Sequence, residues 1–220
     1  MSNLIRYFVG GLGYLALVTI FAIGLSDGRG ALAAEEKAAA PATASTPFTG
    51  EIMLGKADAP VTIIEYASMT CPHCAAFHIN VLPALKEKYI DTGKVKLFFR
   101  EFPLDGVALR ASMLARCGGE AKAHPLIDIL FKQQKVWATS EDPIGALSRV
   151  AKLGGMSQSA FDACLADESL MKRLVQSRQD GSEKYDIKGT PSFIIDGKTH
   201  DGDMDIEDFD KILQPLLPDA

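Results

Sequence analysis

Three rhythms of apolar and polar positions divide the chain. Residues 7–25 carry no charge at all. Residues 61–66, Val-Thr-Ile-Ile-Glu-Tyr, form a β-branched run that suits a buried strand, entered from the turn-like Asp58-Ala59-Pro60. Met69-Thr70-Cys71-Pro72-His73-Cys74 follows, and then a helical stretch to Tyr89 that Gly93 closes. Thr70 is expected as its N-cap, with Pro72 in the first turn, where a missing N–H costs nothing. Residues 94–99 alternate in part and read as a second strand, which completes a βαβ unit.

From about residue 107 to 187 the period becomes helical. Leu109, Met113 and Cys117 recur at four-residue steps before Gly118-Gly119. Leu126, Ile127, Leu130 and Phe131 share one face of a second helix, and Leu147, Val150 and Ala151 mark a third, ended by Gly154-Gly155. Phe161, Cys164 and Leu165 mark a fourth, starting at Ser157. Residues 192–195 return to strand, Asp196-Gly197 is a hairpin-turn signal, and residues 198–200 begin the return strand. Ile206, Phe209, Leu213 and Leu216 then define a last helix. The expected architecture is a small α/β fold with an α-helical insertion of roughly 80 residues, longer than any ordinary connection.

The uncharged run at 7–25 follows Arg6 and would span roughly 28 Å as a helix. Ala31-Leu32-Ala33 supplies a small-x-small site, so residues 1–33 read as a cleaved signal peptide, or as an uncleaved membrane anchor. Either reading delivers the remainder to an oxidising compartment outside the cytoplasm. Residues 34–50, rich in Ala, Thr, Ser and Pro, read as a linker, and residues 51–220 as the folded domain. A net charge of −5 argues against a nucleic-acid backbone binder.

Cys71-Pro72-His73-Cys74 carries the chemistry. A sulfur at the start of a helix meets free backbone N–H groups and the positive end of the dipole, so the Cys71 thiolate is favoured near neutral pH. Cys74, one turn further in, is expected to be buried and protonated, the resolving thiol. His73 beside the sulfur is expected to add a donor or positive charge. Stabilising the thiolate favours the dithiol, which makes the disulfide form the stronger oxidant. A structural disulfide or half a zinc site are the alternatives for a CxxC pair. Zinc needs two further ligands. Cys117 and Cys164 stand far apart in sequence, and His78, His124 and His200 form no metal-binding pattern, so no metal site is expected. His78 reads as an ordinary helix residue.

Glu65 interrupts an otherwise apolar strand. It is either an edge residue in water or a buried carboxylate beneath the cysteines, where burial would raise its pKa and let it take the Cys74 proton. Gly189-Thr190-Pro191 precedes the third strand, where proline is tolerated. Cys117 and Cys164 both fall on apolar helix faces, either as two buried thiols or as a bonded pair stapling the insertion.

Taken together, the CPHC motif after residues 61–66, the helical insertion, and Gly189-Thr190-Pro191 before residues 192–196 resemble the thioredoxin superfamily, and within it the DsbA-like thiol:disulfide oxidoreductases. The resemblance covers about residues 48–217. It implies a thioredoxin fold with an inserted α-helical domain, with Cys71 as nucleophile, Cys74 as resolving cysteine, and Pro72 and His73 as the tuning pair. It further implies that Glu65 is the buried acid and that Thr190 and Pro191 bind substrate. Pro191 would be cis, leaving neighbouring backbone groups free for an extended peptide. The Cys117 and Cys164 pair resembles the second disulfide of some alphaproteobacterial relatives. The implied function is disulfide donation to secreted or periplasmic proteins, with folding proteins bearing cysteine thiols as partners. Reoxidation would come from a DsbB-like quinone-linked membrane protein, with no bound cofactor and a monomeric chain. Thr190 departs from the valine common in the oxidases and keeps an isomerase or reductase role open, since a hydroxyl near the sulfurs is expected to lower oxidising power.

Overall fold

The computed structural model describes residues 47–218. The expected signal peptide or anchor and most of the linker lie outside the described residues. Among the described residues, no helix is long and apolar enough to cross a membrane.

β2 (Val61–Ala67) is the central element, and its period of two divides the protein. Val61 and Ile63 pack with Phe77, Leu82 and Leu85 on one side, whereas Ile64 and Tyr66 pack with Phe102, Ile187 and Ile194 on the other. Strands β1 (Ile52–Leu54), β3 (Val95–Glu101), β4 (Ser192–Ile195) and β5 (Lys198–Asp201) complete a sheet of order β1-β3-β2-β4-β5. β2 and β3 are parallel, and the other pairs are antiparallel. Parallel neighbours need a crossover, and the helix after β2 provides it.

That helix is not uniform. α1 (Pro72–Ala76) widens into a π turn at Phe77–Val81, resumes as α2 (Leu82–Leu85), and widens again at Lys86–Ile90. Pro83, in the first turn of α2, has no N–H to give the preceding turn, and the hydrogen bonding shifts so that the Leu82 N–H reaches the Phe77 carbonyl.

Between β3 and β4 lies the helical block: α3 (Gly106–Cys117), α4 (Glu120–Lys132), α5 (Gln134–Trp137), α6 (Pro143–Leu153), α7 (Gln158–Leu165) and α8 (Glu168–Tyr185). Its own core, built on Met113, Leu130, Phe131, Trp137 and Leu147, is continuous with Ala67, Met69, Cys71 and Cys74. Asp105, Asp142, Ser157 and Asp167 cap four of these helices by accepting from first-turn N–H groups. The Asp196-Gly197 turn has φ of 48° and 74°, as the hairpin requires. α9 (Ile206–Leu213), opened by an Asp205–Asp208 capping box, covers the α1 face of the sheet.

The fold begins earlier than residue 51. Phe48 donates its N–H to the Arg116 carbonyl at 2.9 Å, and the Arg116 guanidinium donates back to the carbonyls of Phe48 and Gly50. Arg116 also makes a buried two-pronged ion pair with Glu101, at 2.6 and 2.9 Å. The end of the expected linker is thus tied to α3.

Candidate active site

The loop from β2 to α1 delivers Cys71 to the N-cap position, with φ −74° and ψ 120°, and Pro72 to the first helical turn. Thr70 is not the cap. Its hydroxyl donates to Asp105 at 2.6 Å, and the same Asp105 caps α3 through the Val107 and Ala108 N–H groups. One carboxylate therefore joins the cysteine loop to the helical block.

Cys71 and Cys74 are both free thiols, with Cys71 6% exposed and Cys74 fully buried. The Cys71 thiol is pulled down to about 5. The largest cause is the hydrogen bond from Cys74, which outweighs desolvation, and the Thr190 hydroxyl and the backbone N–H groups of Cys74 and His73 add to it. Cys74 moves the other way, far up, first because it is buried and then because the Cys71 thiolate and Glu65 repel a second negative charge. Adjacent thiols are thereby split into an anion and an acid that holds its proton.

His73 acts on the sulfur through its backbone rather than its ring. The imidazole Nδ1 pairs with Asp203 at 2.7 Å, with both side chains well exposed. Thr190 faces Cys71 with two groups of opposite effect. Its carbonyl accepts the Cys71 S–H at 3.2 Å, which favours the neutral thiol. Its buried hydroxyl, with no partner elsewhere, is placed to donate to the thiolate. The Thr190–Pro191 bond is cis. The Pro191 carbonyl is not free for a peptide, because the Gly202 N–H occupies it at 3.0 Å.

Glu65 is fully buried. It lies on the same strand face as Val61 and Ile63, towards α1, and not at an edge in water. Its carboxylate is held by His78, whose Nε2 lies 3.0 and 3.1 Å from the two oxygens. His78 is therefore no ordinary helix residue. Burial alone would lower its pKa, but the charge of Glu65 and the nearby Asp128 carboxylate push it up to about 9.

Two residues that hold the site have no sequence motif. Gln134, in α5, donates from Nε2 to the carbonyls of Met69 and Cys71, each at 2.8 Å. Asp105 is invisible for the same reason, since its partner Thr70 is 35 residues away. His78 does leave a signal, because it follows Cys74 by four residues and so shares its helix face. Cys117 and Cys164 are bonded, joining α3 to α7 with a Cα separation of 5.9 Å.

A sheet with a CxxC pair at the head of its crossover helix, a cis-proline against the first sulfur, and helices inserted between β3 and β4 defines a thioredoxin-fold protein of the kind with a helical cap. The family described as thioredoxin matches residues 48–215, and the chain belongs to it, as a DsbA-like member. It superposes on Wolbachia pipientis alpha-DsbA1 with a TM-score of 0.70 and 35% identity, covering 77% of this chain and 92% of that one. A structure of a protein-disulfide isomerase from Novosphingobium aromaticivorans matches with a TM-score of 0.67 and 26% identity over 76% of this chain and 97% of that one. A Rickettsia bellii protein named "Putative protein-disulfide oxidoreductase" is 37% identical over 148 residues, which is 67% of this chain and 57% of that protein's length. The chain thus spans little more than half of this curated relative.

Proposed function

We propose that this protein is a thiol:disulfide oxidoreductase that donates the Cys71–Cys74 disulfide to folding proteins outside the cytoplasm. The observation that carries this reading is the splitting of the two thiols, with Cys71 pulled to about 5 at the helix N-terminus and Cys74 buried and protonated. A client thiolate attacks Cys71 of the disulfide, the Cys71–Cys74 bond breaks, and Cys74 leaves and takes a proton. The client's second thiolate then attacks the mixed disulfide. Cys71 departs as a stable thiolate, the client is oxidised by two electrons, and this protein is left as the dithiol. In the thiolate or disulfide state Cys71 has no S–H, so the Thr190 carbonyl becomes available to an extended client backbone.

Location outside the cytoplasm is supported by the Cys117–Cys164 bond, since such bonds persist in oxidising compartments. The chemistry needs no bound cofactor, only a reoxidising partner, for which a quinone-linked membrane protein of the DsbB kind is proposed. Equilibration with glutathione buffers tests the direction. A potential near about −120 mV supports disulfide donation, and one near about −270 mV assigns the site to reduction.

A second reading, disulfide isomerisation, is favoured by the likeness to the Novosphingobium protein-disulfide isomerase, whereas the Thr190 hydroxyl, expected to lower oxidising power, stabilises the Cys71 thiolate and so raises it. Recovery of activity from a scrambled multi-disulfide substrate, catalysed by the dithiol form, would establish isomerisation.

A further inference from the structure

Cys74 and His78 sit one turn apart on one helix face, both buried, opposite the buried Glu65 of β2. One nitrogen of the His78 ring is committed to Glu65 at 3.0 Å. The other, Nδ1, has no hydrogen-bond partner and faces α4, where Asp128 Oδ1 lies 3.9 Å away. Asp128 is also 3.7 Å from His124 Nδ1, and its side chain is about one third exposed. Phe131 lies against the His78 ring at 4.3 Å between centroids, and Phe99 meets it edge-on, so the two nitrogens keep their two directions. A line of titratable groups thus runs from the buried Glu65, whose charge Cys74 feels, to the surface.

We propose that His78 and Asp128 form the path by which the proton that Glu65 exchanges with Cys74 reaches solvent. The inference rests on the dithiol–disulfide chemistry proposed above. When Cys74 closes the disulfide, its proton passes to a Glu65 oxygen, and the sulfur attacks Cys71 of the mixed disulfide. The Cys71–Cys74 bond forms, the bond from Cys71 to the client sulfur breaks, and the client leaves as a thiolate. As Glu65 becomes neutral, His78 releases its Nδ1 proton to Asp128 and onward to water. Glu65 and His78 lose their charges together, so no unpaired charge is left inside. In the opposite direction Glu65 protonates the departing Cys74, and His78 refills from the surface. A shift of the Asp128 side chain by about 1 Å brings it into hydrogen-bond range of Nδ1.

The charged and titratable groups facing His78 are Glu65 from β2 and Asp128, with His124 beside it, from α4. Lys86 and Lys132 act on the outer end of the line. His78 and Asp128 are positioning residues in this scheme, since neither touches the sulfurs.

The test mixes the full-length dithiol protein with glutathione disulfide and follows two phases by quenched mass spectrometry. The second-order phase forms the mixed disulfide at Cys71, and the first-order phase is the attack by Cys74. His78→Gln and Asp128→Asn are expected to slow the first-order phase at pH 7 by at least about tenfold, and to make it rise with hydroxide concentration. The second-order phase of Asp128→Asn should match the unsubstituted protein. Asp128 is partly exposed, so this variant keeps the core that His78→Gln perturbs. A first-order phase with unchanged rate and pH profile in both variants overturns the path, and slowing in His78→Gln alone overturns the exit through Asp128. If the unsubstituted protein forms no mixed disulfide at all, the proposed function falls and the path with it.

Discussion

Gln134 holds the backbone on both sides of Thr70, its amide donating to the Met69 carbonyl and the Cys71 carbonyl at 2.8 Å each. The helical block thereby fixes the reactive loop of the sheet unit. The Cys71 carbonyl is also bonded to the Ala75 N–H at 3.2 Å, so it stays satisfied if Gln134 is removed, whereas the Met69 carbonyl has no second donor among the described residues. Gln134→Ala is expected to destabilise the protein by about 1–3 kcal/mol through the exposed cost of a buried acceptor. Urea unfolding of the dithiol and disulfide forms measures it, and both should lose stability.

The reactive sulfur should reveal itself by its titration. Alkylation of Cys71 by iodoacetamide is expected to follow a midpoint near pH 5, against the ordinary 9.0 of a free thiol. The folded value lies below the unfolded one, so the thiolate's contribution to stability is complete above about pH 9 and disappears as the pH falls through about 5. Only the dithiol form carries this group. The dithiol should therefore unfold at higher urea than the disulfide form at pH 7, with the gap narrowing towards pH 5. A disulfide form harder to unfold than the dithiol at pH 7 would contradict the donor role.

The Cys117–Cys164 bond closes a segment with a sequence separation of 47. In the chain-entropy account, its replacement by Cys117→Ala with Cys164→Ala costs roughly 4 kcal/mol. The alkylation midpoint of Cys71 should stay where it is, because neither bonded cysteine contributes to it. Thermal unfolding and the iodoacetamide titration on the same variant separate the two effects.

Gly181 lies inside α8, where alanine is ordinarily better by about 1 kcal/mol. Here a Cβ would stand 2.7 Å from a ring carbon of Tyr66, the buried β2 residue next to Glu65. Gly181→Ala is expected to destabilise by about 1–3 kcal/mol through overpacking. A rise in melting temperature would show that the close approach is not needed.

The elements legible in the sequence are those whose periodicity is local. β2, the hairpin at Asp196-Gly197, and the helices starting at Ser157 and Ile206 announce themselves through alternation, turn residues or caps. β1 does not, because three apolar residues pair only with distant β3. α8 is hard to see because just Leu170, Leu174 and Gly181 of its 18 residues are buried. Within the site, the cysteines are visible by spacing, and the parity of β2 places Glu65 on the α1 face beside Ile63. Gln134 and Asp105 cannot be read, because their partners are set by how α5 and α3 dock, and the His73 ring expected beside the sulfur pairs with Asp203 instead.

The complete enclosure of Cys74 has a kinetic meaning. A thiol with no face to the surroundings cannot be intercepted. In the proposed exchange, stray small thiols and oxidants in the medium therefore find no direct access to this second sulfur. In the proposed reaction a captured chain is then left with two ways out from within the pair, its own second sulfur or the single hidden one.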